Sequence, residues 1–310
     1  MSAGPTTRGF TDIDSQHWTL RLLPVWARPY GRLARWDRPI GTWLLMLPCW
    51  WSAALGSREH WGNLIGWMAL FAIGALAARG AGCTWNDIVD REIDARVERT
   101  RDRPLPAGEV KLKGALIWMV LQSLVCVAIL FKLNKTAGGI TLLSVALVAI
   151  YPTMKRFTSW PQVVLGLAFN WGALVGYVAV TDPPTLSWAT VALYWGGVAW
   201  TLVYDTIYAM QDQRDDSIID VRSTARRFGD EPRRWLSLFA VLALLAWTVA
   251  GHLAGLKPIY YGGLLVIALH FAWQIVFLKP DDQADCLARF RSNMHVGLIL
   301  TAAIVAAHLT

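Results

Sequence analysis

The chain has 310 residues, 55% of them hydrophobic and 16% charged, with 18 Trp and a mean hydropathy of +0.37, too apolar for an ordinary soluble domain. That composition excludes a disordered chain, and its four Cys, widely spaced and with no CxxC pair, exclude a disulfide scaffold and suggest no metal site of their own. The net charge of +7 does not imply a nucleic-acid partner; in an apolar chain it marks cytoplasmic loops and contacts with the headgroups of a lipid bilayer.

In chain order, the first element is residues 1–38. There Trp18, Leu22, Trp26, Leu33 and Trp36 are interspersed with Arg21, Arg28, Arg32, Arg35 and Arg38, and Pro24 and Pro29 break the run. The segment reads as amphipathic and interfacial, and it lacks the apolar core and cleavage pattern of a signal peptide. Nine apolar stretches follow, at 39–56, 61–82, 114–131, 136–152, 162–180, 187–204, 235–255, 259–278 and 294–309, each near the ~20 residues that cross a bilayer. Residues 39–310 are therefore expected to form one all-α, polytopic integral membrane bundle of nine transmembrane helices. A β-barrel would alternate polar and apolar residues instead. Lys and Arg concentrate in the N-terminal segment, at Lys155 and Arg156, and in the loops 83–113, 205–234 and 279–293, while the alternate loops hold only Arg58, Lys132, Lys135 and Lys257. This asymmetry places the N-terminus in the cytoplasm. With no organelle-type transit segment evident, a bacterial inner membrane is expected in preference to a mitochondrial one.

The two longest loops carry acidic arrays. The first runs Asn86-Asp87-Ile88-Val89-Asp90-Arg91-Glu92-Ile93-Asp94, directly after the second apolar stretch. If the helix continues, Asn86, Asp90 and Asp94 share one face at i, i+4 and i+8. The second runs from Tyr204 to Asp216 and places Asp205, Tyr208, Asp212 and Asp216 on one face. Like charges at helical spacing repel unless something positive lies between them. Carboxylate and amide oxygens suit Mg²⁺, which commonly takes one or two carboxylates, waters and phosphate oxygens. Two such arrays are expected to hold two Mg²⁺ ions bridged by a diphosphate. Arg99, Arg103, Lys155, Arg156 and Arg222 lie in the same set of cytoplasmic loops and can neutralise diphosphate oxygens. The bland alternative treats the acids as solvated partners of neighbouring arginines; it serves either array alone better than both together.

Arg79 stands near the end of the second stretch among small residues, in Ala77-Ala78-Arg79-Gly80-Ala81-Gly82-Cys83, seven residues before Asn86 and on the same helical face. It either faces an anionic substrate group or snorkels to the headgroups.

At these residues the chain resembles the UbiA superfamily of intramembrane prenyltransferases, and most of all the branch acting on 4-hydroxybenzoate in ubiquinone biosynthesis. The resemblance extends from Arg35-Trp36-Asp37-Arg38-Pro39-Ile40-Gly41 through the Asn86–Asp94 run with Arg101-Asp102-Arg103-Pro104-Leu105-Pro106. It continues in Tyr151-Pro152-Thr153-Met154-Lys155-Arg156 with Pro161-Gln162, the Tyr204–Asp216 run, and Ser223-Thr224-Ala225. One departure stands at Asp220-Val221-Arg222, where the bacterial pattern commonly has Gly-x-Lys.

The resemblance implies a cytoplasmic-facing active-site cavity and transfer of a prenyl group from polyprenyl diphosphate to 4-hydroxybenzoate, ortho to the hydroxyl. It implies a metal set of Asn86, Asp87, Asp90, Asp94, Asp212 and Asp216, with Asp90, Asp94, Asp212 and Asp216 catalytic. Arg79 is expected at the benzoate carboxylate, with diphosphate as the alternative. Asp87 and Asp205 are expected to orient ligands, and Tyr204 and Tyr208 either to bond phosphate or to pack. The alternatives are a relative with another acceptor, such as a haem or homogentisate, and a transporter, whose polar groups would sit nearer the bilayer midplane.

Overall fold

The computed structural model describes residue 13 and residues 16–57, 61–96, 100–212 and 222–309, with the side chains of residues 61, 155, 156 and 212 excepted. Among the described residues all regular structure is helical. The N-terminal segment is broken where its prolines predict: α1 (Trp18–Arg21), a 3-10 turn (Val25–Ala27) after Pro24, and α2 (Arg28–Leu33) with Pro29 in its first turn. Trp18, Leu22, Val25 and Trp26 point outward, while Leu20, Leu33 and Ala34 are buried.

The longer helices follow: α3 (Ile40–Gly56), α4 (Trp61–Asp94), α5 (Leu112–Leu130), α6 (Lys135–Phe157), α7 (Pro161–Phe169), α8 (Gly172–Val180) and α9 (Trp188–Ala209), which runs into a 3-10 turn (Met210–Asp212). After a short α10 (Thr224–Phe228) come α11 (Pro232–Leu253), α12 (Ile259–Val276) and α13 (Gln283–Leu309). All nine expected stretches lie on helix. Among the described residues seven spans are long and apolar enough to cross a membrane, α7 and α8 counting together as one of them. Of the other two, Ile40–Gly56 is shorter, and α9 is long but diluted by its Trp, Tyr, Gly and Thr residues.

The described helices fall into two compact units, one of residues 1–41 with 76–126 and the other of residues 42–75 with 127–310. In the first, Leu33, Val110 and Ala115 form a buried cluster flanked by Tyr30, Ile88, Leu105 and Trp118. Trp118 meets Tyr30 and Trp36 edge-on, at 6.0 and 5.9 Å between ring centres. In the second, α9 packs most extensively against α11. Trp51, Trp200 and Trp247 meet in its centre at ring separations of 5.3, 5.6 and 6.2 Å. Burying Trp leaves indole N–H groups to satisfy. Trp51 donates to the Gly297 carbonyl at 2.9 Å and Trp200 to Asn293 Oδ1 at 2.8 Å. Outward faces of α5, α6 and α12 present Leu121, Leu124, Leu142, Leu143, Leu265 and Leu269, apolar surface that lipid chains cover.

Candidate functional site

The first acidic array is helical throughout. α4 does not stop with its apolar stretch but runs unbroken to Asp94, so Asn86, Asp90 and Asp94 share a face as their spacing requires. At 34 residues the helix is about 50 Å long, against about 30 Å of hydrocarbon; its acidic end therefore extends past the apolar layer. Thr100 closes that end by donating its hydroxyl to the Asp94 carbonyl at 2.9 Å.

Asp87, Asp90 and Asp94 are all buried. Two of them are held by arginine. Arg35 Nη2 donates to Asp87 Oδ1 at 2.5 Å, and Arg103 Nη1 donates to the same oxygen at 3.3 Å and to Asp94 Oδ2 at 2.8 Å. Arg35 and Arg103 are themselves buried, so each of these buried anions is paired with a buried cation, a condition for tolerating buried charge. The positive partner that the array demands is thus supplied, at Asp87 and Asp94, by the protein. Asp87, expected among the metal ligands, is the residue on which both guanidinium groups converge. Arg103, expected at diphosphate, is turned toward the acids. Asn86 is half-buried one turn before Asp90, and these two with Asp94 present hard oxygen donors of the kind Mg²⁺ takes.

Arg35 is the participant that composition and spacing did not single out; it entered as one basic residue of an amphipathic run and as the start of the family-like Arg35–Gly41 stretch, with no role at the acids. Its backbone is left-handed, with φ of 62°, where a non-glycine residue is strained. It ends α2 as a glycine usually would, with the Trp36 N–H reaching back to the Gly31 carbonyl at 2.9 Å. Its guanidinium then bonds both the Arg32 carbonyl, at 3.1 Å, and Asp87. Arg79 lies on α4 half-buried, with its Nε buried.

The second array behaves differently. The α-helix ends at Ala209 and continues as a 3-10 turn over Met210–Asp212. The α-helical phase is therefore shifted over the last residues up to Asp212, because a 3-10 turn advances three residues per turn. Gln211 fixes the change by donating to the Tyr208 carbonyl at 3.0 Å, while its own carbonyl accepts from Gln283 at 2.8 Å. Tyr204 is fully buried and packs against Trp200, and its hydroxyl accepts from Thr201 at 3.0 Å. Tyr208 lies 4.6 Å from the ring of Phe290. Asp205 is half-buried. Arg222, exposed, donates to the Phe157 carbonyl at 3.2 Å, tying the end of α6 on which Lys155 and Arg156 stand. Beside it, Ser223 caps α10 by accepting from the Arg226 N–H. Thr224 bonds Thr206 of α9 at 2.7 Å and Gln162 of α7 at 3.2 Å. Arg99, Asp216 and Asp220 lie outside the described residues, as do the side chains of Lys155, Arg156 and Asp212. Among the described residues no group of three or more His, Cys, Asp or Glu could hold a metal ion.

Residues 45–299 match the UbiA prenyltransferase family, and the chain belongs to it. It is 45% identical over 296 residues to the mitochondrial 4-hydroxybenzoate polyprenyltransferase of Drosophila melanogaster, covering 95% of this chain and 75% of the fly protein. It is 42% identical over 287 residues to the human enzyme of that name, covering 91% of this chain and 76% of that one. Among solved structures, the apo UbiA homologue from Aeropyrum pernix matches with a TM-score of 0.72 and 25% identity over 85% of this chain and 97% of that one. A UbiA homologue from Archaeoglobus fulgidus, solved with GPP and Mg²⁺, matches with a TM-score of 0.65 and 15% identity over 91% of this chain and all of that one; at that identity the likeness is one of fold. The relatives correct the expected location. Insect, mammalian and plant relatives alike are named as mitochondrial, which points to the mitochondrial inner membrane and not to a bacterial one. A leader is a short feature of a chain's start and says less about kinship than a match across 95% of the sequence.

Proposed function

We propose that this chain transfers a polyprenyl group from polyprenyl diphosphate to the ring carbon of 4-hydroxybenzoate ortho to its hydroxyl, releasing diphosphate, as a step of ubiquinone biosynthesis. What carries it is the 42–47% identity, over more than nine tenths of the chain, to eight enzymes of that one activity. The allylic C–O bond breaks, a C–C bond forms to the ring, and the ring proton leaves.

The residues divide by chemistry. Asn86, Asp90 and Asp94, with Asp212 and Asp216, are the oxygen donors assigned to two Mg²⁺ ions. Bound Mg²⁺ supplies the charge that makes diphosphate a better leaving group. Asp87 and Asp205 orient ligands from beside the donors. Arg103 holds the Asp94 carboxylate in place, and Arg99, Lys155, Arg156 and Arg222 offer positive charge to diphosphate oxygens. Arg79 takes the benzoate carboxylate in its planar fork. Tyr204 supports the second array by packing, and Tyr208 is assigned a hydrogen bond to phosphate. Nine membrane-crossing helices enclose a cavity open to the matrix side, where a dry aromatic wall shields the allylic cation from water. Residues 1–38 lie at the interface and residues 39–310 form the catalytic bundle.

Membranes containing the protein, supplied with 4-hydroxybenzoate and a polyprenyl diphosphate, should yield prenylated acid with Mg²⁺ and lose that yield on chelation. No product under any condition, or undiminished product after chelation, overturns the assignment.

A further inference from the structure

Arg79 rests against a glycine. Gly41, in the first turn of α3, is buried, and a methyl group built on it would lie 2.5 Å from both Cζ and Nη2 of Arg79. No side chain tolerates such an approach, so a Cβ at position 41 and the guanidinium in its present place exclude one another. The neighbouring position is closed as well. A Cβ on Gly80 would lie 2.8 Å from Cδ of the buried Gln122 on α5 and 3.1 Å from Cβ of Ala34. α4 is therefore gripped on its Gly80 side, while on the Arg79 side the slot left by Gly41 is filled by the guanidinium. All these residues belong to one compact unit.

We propose that Gly41 is a specificity-determining position for the aromatic acid: by carrying no side chain it leaves the slot in which the Arg79 guanidinium lies, and so sets where that fork meets a carboxylate. The inference rests on the assignment of Arg79 to the benzoate carboxylate. The obstructed atoms are the far end of a flexible side chain, so Gly41→Ala is expected to displace Arg79 and leave the helices where they are. A bidentate contact depends steeply on placement, since an error of about 1 Å in a positioned group can cost roughly 100-fold.

Steady-state kinetics of Gly41→Ala, Arg79→Ala and the double variant test this. For Gly41→Ala the KM for 4-hydroxybenzoate should rise roughly tenfold while the KM for polyprenyl diphosphate stays within about twofold, the pattern of lost binding to one substrate. In the double variant Gly41→Ala should add nothing to Arg79→Ala, because its effect passes through the guanidinium. If Arg79→Ala leaves the acceptor KM unchanged, the assignment of Arg79 falls. If Arg79→Ala raises it but Gly41→Ala does not, or if the two effects multiply, the role of Gly41 falls and that of Arg79 stands. Should Gly41→Ala not accumulate in membranes, the double variant, lacking the obstructed group, must do so; its failure would place the obstruction elsewhere and overturn the proposal.

Discussion

Arg35 combines an unfavourable backbone with a favourable side chain. A left-handed φ on a non-glycine residue costs about 1–3 kcal/mol, and the return is a guanidinium directed at Asp87. Arg35→Ala keeps the strain and loses the ion pair, whereas Arg35→Gly loses the pair and relieves the strain. Both variants should shorten the protein's half-life at elevated temperature in detergent, and Arg35→Ala should shorten it more; equal half-lives would mean that the backbone carries no strain. Asp90 poses a different question. It is buried on the same face as Asn86 and Asp94, and its proposed work is metal binding, so Asp90→Asn should reduce product formation by orders of magnitude while the amount of inserted protein is unchanged. Wild-type turnover in that variant would remove Asp90 from the metal set. The acidic positions were legible in the sequence because charge at i, i+4 and i+8 is a local pattern. The Arg35 partner was not, since Arg35 and Asp87 are 52 residues apart and nothing local joins them.

Among the elements, α4 kept the continuity its sequence suggested, and α9 did not. In α4 no proline or glycine interrupts the run from Trp85 to Asp94, and the helix continues beyond its apolar part. In α9 the last turn tightens where Gln211 takes the Tyr208 carbonyl and Gln283 of α13 binds the Gln211 carbonyl, a tertiary contact invisible to helical spacing. The stretch expected as one span at 162–180 is similarly divided. Asn170 breaks it, donating to the Gly166 carbonyl at 2.9 Å and to Thr201 of α9 at 2.8 Å. Joints between helices also show where stability should be sensitive. Asn134 caps α6 by accepting from the Ala137 N–H at 2.9 Å and donates to the Val178 carbonyl at the end of α8 at 2.7 Å. Asn134→Ala removes both, at a cost of about 1–2 kcal/mol. Faster proteolysis near the start of α6 is the expected result; unaltered cleavage would mean that solvent replaces both bonds.

At the scale of the molecule, two groups stand out among the 18 Trp. Trp18, Trp26 and Trp188 are exposed near helix ends, as interfacial anchors would be, while Trp51, Trp200 and Trp247 form a fully buried centre. Trp200→Ala empties that centre and leaves the Asn293 amide without its donor, a loss of about 3–5 kcal/mol for a large core aromatic. The variant should lose folded protein in detergent several times faster than wild type; an unchanged half-life would show that the neighbours collapse into the space. Membrane residence, all-helical class, the acidic arrays and the family were each settled by sequence alone, because apolar length, helical spacing and motif order are properties of contiguous residues. Which arginine neutralises which acid, where a helix tightens or breaks, and which tryptophans turn inward were decided only by tertiary structure, because each depends on groups that are distant along the chain and adjacent only after folding.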